Sequence, residues 1–136
     1  MTSHSHSDFT FEVLGVPVPQ GSKNAYNRGG RIVLVEASRD LPHWRQQIIE
    51  AAQLANGTQP PFTKPIHLDV VFWLPKPAKP KFDTPGVKPD LDKLVRAVGD
   101  ALTQSGVIKD DCLITSVFAE KRYAHARLPG AKITIR

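Results

Sequence analysis

Residues 75–89, PKPAKPKFDTPGVKP, carry five prolines in fifteen positions. Each proline lacks an N–H and fixes its own φ, so the segment sustains neither a helix nor a strand ladder and runs as an extended loop. It is too short to link two domains, so the elements on either side share one core. Upstream, Ile66–Leu74 (IHLDVVFWL) is β-branched and aromatic and predicts a central strand. Downstream, Leu91, Leu94, Val95, Val98, Ala101 and Leu102 recur at i, i+3, i+4, i+7, i+10 and i+11, the stripe of an amphipathic helix. Pro89 blocks earlier winding, Asp90 is a natural N-cap, and Gly106 closes the helix.

Elsewhere the pattern is shorter in range. Phe9–Val16 alternates as a strand and is stopped by Pro17-Val18-Pro19. Residues 20–31, QGSKNAYNRGGR, predict a loop, with Tyr26 as its anchor or as a platform for stacking on an exposed base. Ile32–Val35 is a β-branched run expected to pair with the first strand as a hairpin. Ser38 as cap and Pro42 in the first turn open a second helix carrying Trp44, Ile48, Ala51, Ala52, Leu54 and Ala55, ended by Asn56-Gly57. Cys112–Ala119 and Lys132–Arg136 predict two more strands. The order β-β-α-β-α-β-β implies an α+β fold, a small mixed sheet packed against two helices.

The 136 residues fit one domain, 1–136, with residues 1–8 as a solvated tail. At 40% hydrophobic residues the chain can bury a core, which excludes a disordered protein. No apolar run approaches the roughly 18 residues of a membrane helix. The opening MTSHSHS has no secretory core, so a cytoplasmic protein is expected. One cysteine, Cys112, excludes an internal disulfide and a cysteine-based zinc cage, and a lone cysteine is expected to be buried. Trp44 and Trp73 are expected in the core. His43, His67 and His125 lack ligand-like spacing.

The formal charge is +5, a weak pointer to a polyanionic partner. Acids nevertheless concentrate in one place. Asp90, Asp92, Asp100, Asp110 and Asp111 face only Lys93, Arg96 and Lys109 between residues 90 and 111. Basic segments flank this island: Lys23, Arg28 and Arg31 early, Lys76, Lys79, Lys81 and Lys88 just before it, and Lys121, Arg122, Arg127, Lys132 and Arg136 after it. Carboxylates repel a phosphate backbone unless divalent cations lie between, and Mg²⁺ prefers such hard oxygen ligands. Asp90 and Asp92 can converge because Asp90 is not yet helical, and the helix start adds N–H groups and a positive dipole end. An antiparallel return of the next strand would bring Asp111 to the beginning of the helix. Plainer readings stand beside this one: Asp90 as a cap, Asp92–Arg96–Asp100 as a solvated ion-pair ladder, and Asp110-Asp111 as a turn. Asp100 is assigned to the ladder.

The segment PDLDKLVRAVGDALT (residues 89–103), followed by VIKDD (107–111), resembles the RusA family of Holliday junction resolvases, and PVPQGSK (17–23) resembles the first loop of many relatives. The resemblance implies a RusA-like α+β domain with Asp90, Asp92 and Asp111 as catalytic, metal-holding carboxylates. It also implies Mg²⁺, with Mn²⁺ as a substitute, as cofactor for phosphodiester hydrolysis in DNA recombination and repair. A homodimer would cut opposed strands of a four-way junction in a bacterial or phage-infected cell. Two positions depart from the family pattern. Lys93 stands where the family has Asn, and Arg96 where it has a functional Lys. Arg96 keeps a phosphate-holding cation without a tunable pKa, and either Arg96 or Lys93 takes that role. Lys23, Arg28, Arg31, Lys76, Lys79, Lys81, Lys88, Lys93 and Lys121 would contact DNA. Rival functions are an Mg²⁺ nuclease acting on flaps, forks or duplex, a non-catalytic basic DNA-binding module, and a partner-binding protein using the proline–lysine segment.

Overall fold

The structure, a computed structural model, describes residues 8–21, 23–28, 31–36 and 40–136, the strands 23–28 and 31–36 by their backbone alone. Residues 1–7 of the expected tail 1–8 and the Ser38 cap lie outside the described residues. Among the described residues, six strands and two helices follow in the order β1 (Phe9–Leu14), β2 (Lys23–Arg28), β3 (Arg31–Glu36), α1 (Leu41–Asn56), β4 (Ile66–Pro75), α2 (Leu91–Ser105), β5 (Ile114–Ala124) and β6 (Gly130–Ile135). A 3₁₀ turn, Asp111–Leu113, precedes β5. The main sheet has the order β1-β6-β4-β5. β6 is antiparallel to both β1 and β4, whereas β4 and β5 are parallel with Phe72 opposite Lys121. This is the expected α+β architecture of a small mixed sheet and two helices.

The hairpin differs from expectation. β3 pairs with β2 in a separate two-stranded sheet, Arg28 opposite Arg31, and β1 pairs with β6. Residues 23–28 form a strand where a loop is expected, antiparallel to the β-branched run of β3.

The core lies on one face of the main sheet. Phe11 and Val13 of β1, Leu68, Val70 and Phe72 of β4, and Ala131, Ile133 and Ile135 of β6 are buried there, together with Trp44, Ile48 and Ala52 of α1 and Leu94, Ala97, Val98, Ala101 and Leu102 of α2. The period-two alternation of each strand sends Asp69, Val71 and Trp73 to the opposite face. Trp73 is therefore half-buried and not in the core, with the Arg127 guanidinium 3.5 Å from its ring centroid. Cys112 is exposed, because it falls in the 3₁₀ turn at the surface. Among the described residues no helix is long and apolar enough to cross a membrane.

The ends of α2 form largely as the sequence predicts. Gly106 ends it in the left-handed region (φ 80°), a conformation glycine adopts without a Cβ penalty. Asp90 is the N-cap with extended backbone (φ −71°, ψ 136°), but its side chain makes no capping hydrogen bond.

Gly130 serves a close approach of strands: a Cβ there would lie 2.3 Å from the Val13 carbonyl oxygen. Gly130→Ala is expected to lower unfolding stability by about 1–3 kcal/mol through forced separation of β1 and β6. Urea unfolding measures this, and an unchanged midpoint would show that the strands part freely.

Candidate active site

The parallel pairing of β4 and β5 requires a crossover, and α2 is that crossover. Loop 76–89 leaves the end of β4 and delivers the chain to the start of α2. There the Asp90 carboxylate is half-exposed, with Lys88 Nζ 3.0 Å from Oδ1. Asp92, in the first turn, is exposed and paired with Lys93 at 3.3 Å. Leu91, Asp92 and Val95 border a shallow groove closed on its other side by Val117 and Ala119 of β5.

Helical periodicity puts Asp92, Arg96 and Gly99 on one side of α2. Arg96 is exposed and has no ion pair among the described residues. Asp111 lies against Gly99: its Cβ is 3.7 Å and its Oδ2 3.9 Å from where a Cβ on residue 99 would stand. Asp92, Arg96 and Asp111 thus follow one another along the helix. About 10 Å of helical rise separates Asp92 from the Gly99 contact.

Asp111 meets the middle of α2, not its beginning. After Gly106 the chain is tied to Phe62 by Phe62 N–H donating to the Val107 carbonyl (2.8 Å) and Lys109 N–H donating to the Phe62 carbonyl (3.0 Å). Val107 and Ile108 are buried. This anchor brings the 3₁₀ turn back beneath Gly99. Among the described residues no three His, Cys, Asp or Glu side chains are gathered closely enough to ligate one metal ion.

The two acids of the pair differ. Asp110 accepts the Cys112 N–H at 2.9 Å, and this hydrogen bond, with further ones from the Cys112 and Asp111 side chains, holds its carboxyl below the ordinary carboxylate value. Asp111 is pushed above it, first by partial desolvation, then by its hydrogen bond to Asp110 and the charges of Asp100 and Asp110. Asp100 therefore faces Asp111, and the Asp92–Arg96–Asp100 ladder does not form. The contact joins two elements, which spacing along one helix does not reveal.

The basic residues distribute unevenly. Lys76, Lys79, Lys81 and Lys88 are exposed on the loop, with Lys81 Nζ 5.5 Å from the Phe82 ring centroid. Lys93 is half-buried beside Asp92. Lys23, Arg28 and Arg31 lie on β2 and β3, their side chains outside the described residues. Lys121 turns its ammonium onto the carbonyls of Val87 and Pro89, 2.8 Å from each. Gln20, not singled out from the sequence, links three elements. Its N–H donates to the Lys93 carbonyl (3.0 Å), and its Oε1 accepts from Arg45 Nη2 (3.1 Å). The Pro17–Lys23 motif was the signal that could have found it.

A family model described as endodeoxyribonuclease RusA matches residues 15–136. The chain belongs to the RusA family. The matched span takes in the Gln20 loop, the hairpin, both helices, and Asp90, Asp92, Arg96 and Asp111. The chain is also similar to an uncharacterised protein, YqaN of Bacillus subtilis strain 168, with 28% identity over 140 residues covering 93% of this chain and 94% of that protein. This RusA-family chain is accordingly an endodeoxyribonuclease by family, and α2 with its N-cap Asp90 lies within the matched span.

The raised Asp111 carboxyl has a consequence for stability. A carboxyl that holds its proton more tightly in the folded state favours folding at low pH and opposes it as pH rises through the folded-state value. Asp111→Asn is expected to melt higher than the parent at pH 7, with the advantage fading toward pH 3. Asp110, shifted downward, works the other way: its contribution is present above the ordinary value and is lost as pH falls through the folded one, so Asp110→Asn costs stability at pH 7. Thermal melts of both variants at pH 3 and pH 7 check this, and shifts of the same sign would contradict the assignment.

Proposed function

We propose that this RusA-family chain is an Mg²⁺-dependent endonuclease that resolves four-way (Holliday) DNA junctions by symmetric phosphodiester hydrolysis, acting as a homodimer in recombination and repair. Its setting would be the cytoplasm of a bacterial or phage-infected cell. The observation that carries the reading is the succession of Asp92, Arg96 and Asp111 along α2, with Asp90 at its start, inside the span that the RusA model matches.

The donor chemistry fits a hard divalent cation. The candidate ligands are carboxylate oxygens at the surface, and Asp111 is crowded by Asp100 and Asp110 in a way a cation relieves. Asp90 and Asp92 at the start of α2 and Asp111 at its middle, which are not gathered round one point in the structure, would together hold Mg²⁺, with Mn²⁺ as a substitute. When bound, the ion supplies Lewis acidity to the phosphodiester and neutralises charge developing on its oxygens.

The remaining work falls to the protein's cations. Arg96 offers a planar fork of donors to non-bridging phosphate oxygens and stays charged throughout, so it stabilises charge and does not deliver a proton. Lys93, beside Asp92, adds a second positive group. The loop lysines Lys76, Lys79, Lys81 and Lys88 and the hairpin cations Lys23, Arg28 and Arg31 follow the backbone of the DNA arms. Junction selectivity then follows from the spacing of two such surfaces across a dimer. Support for a dimer comes from β5. Among the described residues it has β4 as its one neighbour in the main sheet, and it exposes Phe118 (61%) on the face opposite the helices. Large apolar side chains on an edge strand mark a contact surface.

Asp90→Asn and Asp92→Asn are each expected to bind a synthetic four-way junction within about twofold of the parent while cleavage drops by more than about 100-fold, since an aspartate that holds the catalytic cation acts on the reacting phosphate. Cutting that survives either change, or persists in chelator, removes the metal-site assignment. Preference for duplex or flap over a junction of the same sequence would defeat the resolvase reading. Phe118→Lys is expected to halve the mass measured by light scattering, and an unchanged mass would move the dimer contact off β5.

A further inference from the structure

The acid that opens α2 is not held by its own side chain. Asp90 makes no capping bond, and its ion pair with Lys88 involves a lysine side chain that is 86% exposed. Its direction must come from the backbone that precedes it. That backbone is loop 76–89, whose prolines can donate nothing and whose described backbone–backbone hydrogen bond, Gly86 N–H to the Thr84 carbonyl, is internal. Among the described residues, the hydrogen bonds that tie this loop to the sheet come from one side chain. Lys121 of β5, opposite Phe72 and half-buried, donates to the Val87 and Pro89 carbonyls, 2.8 Å each.

We propose that Lys121 is a positioning residue for Asp90: its ammonium pins the Val87 and Pro89 carbonyls and so fixes where the Asp90 carboxylate points. This inference rests on the metal-dependent reading of the site. Pro89 is covalently adjacent to Asp90, so a shift of its carbonyl turns the next residue. A strand is a firmer base for that anchor than a proline-rich loop. An ammonium has three donors, and two are committed to neutral carbonyls. The charge thus stays near Asp90 while its hydrogen bonds serve the backbone. A lysine whose task is to hold a DNA phosphate would instead lower junction affinity and flatten the salt dependence when removed, by about one unit of slope.

The test compares Lys121→Met, which keeps the stem and loses the ammonium, with Lys121→Arg and the parent. Junction affinity is measured without metal over a range of salt. Expected for Lys121→Met is affinity within about twofold and an unchanged salt slope, but a rise of about 10-fold in the Mg²⁺ concentration needed for half-maximal cleavage, the size typical of losing a group that orients a ligand. Binding of Mn²⁺ to the DNA-free protein, followed by electron paramagnetic resonance, should weaken in parallel. Lys121→Arg, which can still donate to both carbonyls, should recover part of the loss. Unchanged metal dependence in a folded Lys121→Met, or a loss of junction affinity with a reduced salt slope, overturns the positioning role. If Asp90→Asn, run alongside, cuts at the parental rate, the metal-site reading falls and this inference with it. A parent that responds to Mg²⁺ beside a Lys121→Met that matches it overturns the inference alone.

Discussion

The burial of one stripe of α2 sets most of what surrounds it. Leu94, Ala97, Val98, Ala101 and Leu102 are fully buried in the core that β4 and β6 line. Each large apolar side chain so buried stabilises by about 1.5–3 kcal/mol. A helix held by that stripe cannot rotate about its axis without exposing it. The rotation that buries the stripe turns Asp92, Arg96 and Gly99 to the other side. Because β4 and β5 are parallel, the same helix must also run back along both strands. Its start therefore stands near the Lys121 end of β5, where the proline-rich loop arrives, and its middle receives the turn that carries Asp111.

Charge divides the molecule into unlike surfaces. On the face of the sheet opposite the helices, three arginines are matched by acids: Arg127 with Glu12, Arg122 with Glu120, and Arg136 with both Asp69 and Asp8. His67 bridges Ser116 and Asp69 on the same face. Paired surface charges of this kind project little field and are worth little individually. The loop that leads to Asp90 is different, with exposed lysines at 76, 79 and 81 and Asp83 as its one acid. The loop thus sets net positive charge beside the acidic motif, where a polyanion and a divalent ion would meet.

Much of this arrangement is legible along the chain. The prolines of 75–89, the stripe of α2, its Gly106 stop and the alternation of β1 and β6 all appear where spacing predicts them. The hairpin is not legible along the chain because the apolar run at Ile32–Val35 is short and its partner strand, KNAYNR, has almost no apolar signal. Trp73 and Cys112 were misread for another reason. Aromatic and sulfur side chains are buried on average, but the pleat of β4 and the surface 3₁₀ turn overrule that average. The motif acids were visible as residues; the pairing of Asp111 with Asp100 and the seat of Asp111 under Gly99 were not.

Local periodicity, caps and composition determined the elements, the acidic island with its basic flanks, and the resemblance to a nuclease family, because each depends on residues within a few positions of one another. Closure of the core decided the rest. It seated Asp111 against the middle of α2 and set the Lys121 ammonium on the carbonyl of Pro89, 32 residues away along the chain. Those contacts join elements whose relative position is set by the simultaneous burial of many apolar side chains, which no single segment encodes.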